Sequence, residues 1–287
     1  MESNEHPWHR EVIKPQLERT LHELQALGAL DRCYLAEGTG LALHLGHRRS
    51  QDLDFFSRDS VDPEALIRRM KSLARFALAA QAPDTLRVTV QGVKVSFLAY
   101  SYPVLFPMAA FQGVNVADPR DIAGMKLGAV ASRGTKRDFV DLYALAKLYG
   151  LAQLLEWLKQ RYAELNRNLV HGLKSLTYFE DADKEPMPDM LIPLSWEDAK
   201  RYFRSEVLLP DFHAVRSYLS RICLNTSTTA MASNPIATRQ RNKGVTKLCK
   251  RLKPRFGEKK RNPTATSSAS TARPVRTSTR RLINLPF

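Results

Sequence analysis

Glu37-Gly38-Thr39-Gly40 and, shortly after it, Arg48-Arg49-Ser50-Gln51-Asp52-Leu53-Asp54-Phe55-Phe56 form the stretch that decides how this chain is read. Alternate side chains of a β-strand share a face, so a strand over 52–57 sets Asp52 and Asp54 side by side. Leu53, with Phe55 and Phe56, is then expected to bury the other face. Two carboxylates that close repel one another unless a cation sits between them. Mg2+ meets that need, because it takes one or two carboxylates and fills its remaining positions with phosphate oxygens and water. Gly38 allows a close backbone approach, and a helix starting behind it would offer free N–H groups to a phosphate. The stretch therefore reads as a phosphate turn followed by a metal-binding strand.

Outward from it, the pattern is mixed α/β. On the N-terminal side, Val12, Ile13, Leu17, Leu21, Leu24 and Leu27 predict a helix within 10–30. A short strand follows at 33–36, and a helix at 41–45. Beyond the aspartates, Asp62-Pro63-Glu64 opens a helix to about residue 74, with Pro near its first turn. Alternating runs at 86–91 and 93–100, split by Gly92, predict a hairpin. A short strand is expected at 114–117. Helices are then expected over 121–132, 136–149, 151–163 and 170–179, and again from 195 after the Pro-containing loop 185–193. This gives a mixed sheet with flanking helices over 1–117 and a helical half over 118–221 closing a cleft. Trp157 and Trp196 read as core, His44 and His47 as hydrogen-bonded or solvated, and Glu180, Asp181 and Asp183 as surface.

Charge separates the remainder. The chain of 287 residues carries a formal +15. Residues 222–287 hold 15 of the 44 Lys and Arg but only one acid, Glu258, so their share is +14 and that of 1–221 is +1. This end is rich in Ser, Thr, Pro and Arg without apolar periodicity, so it is expected to be disordered and could serve as an electrostatic arm for RNA or DNA. No run approaches the roughly 18–20 apolar residues of a membrane span, and no signal peptide is apparent. The three cysteines, Cys33, Cys223 and Cys249, form no CxxC pair. Neither a disulfide framework nor a zinc site is indicated, and a cytoplasmic setting is expected.

The run from Ala36 to Ser57 resembles the signature of the abortive-infection (AbiEii/AbiGii) toxin nucleotidyltransferases, within the DNA polymerase β-like superfamily. Two further blocks share the likeness. One runs from Lys126-Leu127-Gly128 through Arg133 to Lys136-Arg137-Asp138-Phe139-Val140-Asp141-Leu142; the other runs from Ser175 to Asp183. The resemblance spans about 10–210 and leaves out the basic end. It implies a nucleotidyltransferase-type sheet and transfer of a nucleoside monophosphate from an NTP, with Mg2+, to an acceptor such as RNA, notably tRNA. It also implies a toxin–antitoxin setting with a cognate antitoxin. By the same resemblance Gly38 and Thr39, with Arg49 and Ser50, would hold the nucleotide, and Asp52 and Asp54 the metal. Lys126 would reach a phosphate, and Asp138 would act as a base or orient the acceptor hydroxyl.

Two positions depart from the family. Glu37 stands where a second glycine is usual, and a carboxylate there repels a triphosphate unless it turns away or joins the metal shell. Ser96 stands where the wider superfamily often places a third acid. Both features favour the alternative, a catalytically weak or inactive relative that binds nucleotide, RNA or protein.

Overall fold

Pro15 explains how the first helix begins. A residue before proline is pushed out of the helical region, and Lys14 is extended with ψ 153°. The expected helix over 10–30 therefore divides into a 3-10 turn, Arg10–Val12, and helix α1, Pro15–Ala26. Between them Ile13 bridges Ser50 in parallel. The computed structural model describes residues 7–162 and 175–208. The expected tail over 222–287 and most of the expected helix over 170–179 lie outside these residues.

The strands are β1 (Tyr34–Leu35), β2 (Asp52–Ser57), β3 (Ala77–Ala82), β4 (Thr85–Val90), β5 (Val93–Ala99), β6 (Ala109–Phe111) and β7 (Val114–Val116). They form one seven-stranded mixed sheet in the order β3-β4-β5-β2-β1-β7-β6. β2 is central, parallel to β5 and antiparallel to β1. The expected hairpin is β4–β5. Strands β3 and β6 add one strand at each edge; an Ala-rich, fully exposed strand such as β3 has no apolar alternation to announce it.

Around the sheet lie α2 (Glu37–Leu45), α3 (Pro63–Met70), α4 (Pro119–Ser132), α5 (Lys136–Tyr149), α6 (Leu151–Arg161), the short α7 (Glu180–Asp183) and α8 (Trp196–Leu208). Helix α2 begins at Glu37, earlier than the apolar run at 41–45. It ends at Gly46, whose left-handed φ of 63° turns the chain toward β2. Asp62 caps α3 and Asp118 caps α4, each ahead of a proline in the first turn.

Each face of the sheet has an apolar layer. Leu53 and Phe55 of β2 join Val95 and Phe97 of β5 and Leu17, Leu21 and Leu24 of α1. Phe55 stacks on Phe97 with ring centroids 5.4 Å apart. Burying a side chain of this size contributes about 1.5–3 kcal/mol. The second layer contains Tyr34, Phe56, Ile122, Leu127, Phe139, Leu142 and Phe203, which draws α4, α5 and α8 together. Phe56 thus lies on the carboxylate face, contrary to the expectation that it follows Leu53. Strict alternation puts residues 52, 54 and 56 together. It also makes Phe56 the hydrophobic floor where the aspartate pair gives way to the helical layer.

Candidate active site

Position follows from register. Asp52 lies opposite Lys94 and Asp54 opposite Ser96 on β5. Burial raises the Asp54 carboxyl above its ordinary value. The Ser96 hydroxyl, which hydrogen-bonds to it, opposes the shift, whereas the charges of Glu37 and Asp52 add to it. Asp52 is more open, and the Arg137 guanidinium stands 3.6 Å from it.

The turn ahead of this strand is held by its own side chains. The Thr39 hydroxyl donates to the Asp52 carbonyl and so accepts from the Ser50 hydroxyl at 2.6 Å. Both residues are buried. The Ser50 N–H donates to Val12 O at 2.8 Å. Arg49 pairs with Asp189 at 3.1 Å. A Cβ on Gly38 would fall 2.5 Å from Arg48 Nη2, and one on Gly40 would press on the Leu35 carbonyl at 3.3 Å. Thr39, Ser50 and Arg49, expected at the nucleotide, thus have their side chains engaged within the protein, and Gly38 makes room for Arg48. No side chain caps the first turn of α2.

Below that turn lies a network of buried charge. Asp141 accepts from Arg48 Nε at 2.6 Å, Arg48 Nη2 at 2.8 Å and His47 Nε2 at 2.8 Å. Lys126 Nζ lies 3.0 Å from the same carboxylate, 3.2 Å from Asp138 and 2.5 Å from Glu37. Arg133 forks onto Asp138 through Nε at 2.7 Å and Nη2 at 2.8 Å, and Thr135 donates to it at 2.6 Å. Burial alone would raise both aspartate carboxyls. The Arg48 and Lys126 charges, however, hold Asp141 well below the ordinary range, and the Arg133 hydrogen bonds with the Lys126 charge do the same for Asp138. Burial would likewise lower the Lys126 ammonium, yet Glu37, Asp141 and Asp138 raise it above its ordinary value.

Lys126 and Asp138 therefore touch each other, and the charges of Lys126 and Glu37 are felt at Asp54. Asp138 is buried, its oxygens are taken and its proton affinity is depressed, which suits an anchor better than a base. Arg48 and Arg133 carry as much of the network as the residues singled out from sequence. Arg48 stands in the quoted motif, but its partner Asp141 is 93 positions away. His44 Nε2 lies 2.9 Å from the Ala117 carbonyl, and His47 is committed to Asp141. Trp157 and Trp196 pack against the helical core, and Asp183 accepts from Trp196 Nε1 at 2.7 Å.

For a divalent metal, Asp52 and Asp54 offer two carboxylates. Among the described residues no group of three or more His, Cys, Asp or Glu gathers to hold an ion. The pair fits Mg2+, which takes its remaining oxygens from phosphate and water. Burial first, and then the charges of Glu37 and Asp52, disfavour the ionised Asp54 carboxyl, and a bound cation would offset both.

The match of the chain to a protein family, and not the geometry alone, places this mixed sheet with its paired-aspartate strand and Lys–Arg–Asp cluster among the nucleotidyltransferases. The chain belongs to the AbiEii family: residues 19–218 match the model described as nucleotidyl transferase AbiEii toxin of a type IV toxin–antitoxin system. An uncharacterised protein of Aquifex aeolicus is 35% identical over 201 residues, covering 68% of this chain and 96% of the relative. Among solved structures, JHP933 from Helicobacter pylori is 17% identical, with a TM-score of 0.42 over 76% of this chain and 99% of that one. The nucleotidyltransferase toxin MenT4 from Mycobacterium tuberculosis is also 17% identical, with a TM-score of 0.43 over 69% and 87% of the two chains. The family assignment rests on the match over residues 19–218. No helix among the described residues is long and apolar enough to cross a membrane.

Proposed function

We propose that this nucleotidyltransferase moves an NMP from an NTP to a hydroxyl of an RNA such as tRNA, as the toxin of a toxin–antitoxin pair. Asp52 and Asp54 hold Mg2+ in this reading. The observation that carries it is the aspartate pair on β2, with Arg137 at Asp52 and the Lys126–Asp138–Arg133 cluster beside it. The acceptor oxygen forms a bond to the α-phosphorus, the bond to the bridging oxygen breaks, and pyrophosphate leaves. The side chains of Arg133 and Arg137 are more than half exposed and supply the cations that can meet phosphate oxygens. Lys126, Asp138, Asp141 and Arg48 hold Arg133 and the α2 turn in place, so their role is positioning. The Mg2+, once bound, would neutralise phosphate charge and favour loss of the acceptor proton.

A second reading, a relative that binds without turning over, is favoured by Ser96 standing opposite Asp54 where a third carboxylate would complete the set. The two readings part in one experiment. Each labelled NTP is incubated with Mg2+ and total cellular RNA, using wild-type protein and Asp54→Asn. Transfer by the wild type and none by the variant is expected. The variant's melting point should hold or rise slightly, because neutralising one of two crowded carboxylates relieves repulsion. Full activity in Asp54→Asn would falsify the metal-site reading, whereas labelled product from neither protein would favour the binding module.

A further inference from the structure

Glu37 is the residue of the site whose position is hardest to explain as structure alone. Its φ is +55°, a left-handed conformation that costs a residue with a Cβ about 1–2 kcal/mol and that glycine adopts freely. At this strained first position of α2, its side chain is largely buried and aimed at cations: Lys126 Nζ at 2.5 Å and Arg133 Nη2 at 3.5 Å. The network contains three cations, Arg48, Lys126 and Arg133, and three carboxylates, Glu37, Asp138 and Asp141. Asp141 is fixed by Arg48 and His47, and Asp138 by Arg133 and Thr135. Glu37 alone approaches from the helix start, whose first turn no side chain caps. Removing its charge leaves Arg48, Lys126 and Arg133 facing Asp138 and Asp141 within the network, with Asp54, the metal-strand carboxylate, the next acid felt at Arg133. The freed side of Lys126 and Arg133, beside a helix start that no side chain caps, is where an anion would be received.

We infer that Glu37 is a resident competitor for the nucleotide's phosphates. Its carboxylate occupies the cationic position that a triphosphate must take over, so Glu37 weakens nucleotide affinity and makes docking depend on its displacement. The inference rests on the reading that the triphosphate lies between α2 and Arg133. It assigns to Glu37 control of phosphate affinity in place of a contribution to the metal shell.

The test is the binding of inorganic tripolyphosphate to the full chain by calorimetry, for wild type, Glu37→Gly and Glu37→Gln. Both variants should bind on the order of tenfold more tightly, the gain expected from freeing one charge-assisted contact. Glu37→Gln keeps the side chain's size, so the comparison survives if the glycine variant folds poorly. Arg133→Ala in the Glu37→Gln background should erase the gain, which separates this site from binding by the basic C-terminal residues. Unchanged or weaker binding in the Gln variant, or a gain that survives loss of Arg133, overturns the inference. The KM for NTP is measured alongside. Tighter tripolyphosphate binding without NMP transfer by any of the proteins would sink the proposed activity and leave the anion site standing. NMP transfer by the wild type with no gain in the variants would do the reverse.

Discussion

Asp141 receives four donors from three residues, His47, Arg48 and Lys126, and its side chain is fully buried. Removing one partner of a buried pair leaves the others uncompensated and costs about 3–5 kcal/mol. Asp141→Asn should therefore lower stability by about that much in a denaturant titration, since an amide cannot balance Arg48 and Lys126 together. The same lowered carboxyls make the protein sensitive to acid. Asp138 and Asp141 have folded values below their unfolded ones, so their contribution is complete above the ordinary carboxylate value of about 3.9. It is lost as pH falls through that value toward the folded ones, because the unfolded chain binds protons first. Wild-type stability should drop steeply below about pH 4, and Asp141→Asn should flatten that limb of the curve. Gly38→Ala belongs to the same network. Its new Cβ would displace the Arg48 fork from Asp141, and a loss of about 1–3 kcal/mol is expected by thermal melting.

At the scale of elements, one hydroxyl ties helix to strand. Thr39 on α2 bonds the Asp52 carbonyl and the Ser50 hydroxyl, which fixes where β2 begins relative to the α2 turn. Thr39→Val keeps the shape and removes a donor from the part-buried Asp52 carbonyl and a partner from the Ser50 hydroxyl, so a loss of about 1 kcal/mol is expected. Thr39→Ser should restore most of it, and failure of the serine to rescue would show that the methyl group, not the bond, matters. The sequence signals at this scale were uneven for physical reasons. The aspartate strand, the β4–β5 hairpin and helices α4, α5 and α6 carry local periodicity, so 52–57, 86–100 and 121–161 could be placed from sequence. β3 escaped because an exposed edge strand of alanines needs no alternation. Thr39, Ser50 and Arg49 look like nucleotide ligands in a motif, yet their partners are the Asp52 carbonyl, each other and Asp189. The Arg48–Asp141 fork could not be read from the sequence at all, since nothing local to either residue names the other. The left-handed φ of Glu37 left no trace in local periodicity, since a glutamate does not announce a conformation that glycine adopts freely.

For the whole molecule the governing asymmetry is charge. Residues 1–221 carry +1 in sum, yet within the described part a full set of cations is matched to acids at the site, while 222–287 carry +14 with a single acid. That segment is rich in Ser, Thr, Pro and Arg without apolar periodicity, so its composition offers little apolar surface to bury. A chain ending at residue 221 should therefore melt within a degree or two of the full chain, because a surface change away from packed features shifts stability by only about 0.5 kcal/mol. Its RNA binding should differ much more. Each Lys or Arg that neutralises a phosphate adds about 0.7–0.9 to the slope of log affinity against log salt. The full chain should thus show a steep slope and the truncated chain a shallow one, while transfer measured at saturating RNA stays comparable in both. Filter binding of one labelled tRNA across a salt series, beside melting curves of the two proteins, measures both quantities. A fall of many degrees in the truncated chain's midpoint would mean that the segment packs on the body. Equal salt slopes would mean that the RNA is held by the body, where Arg133 and Arg137 at the mouth of the site are the first cations to test.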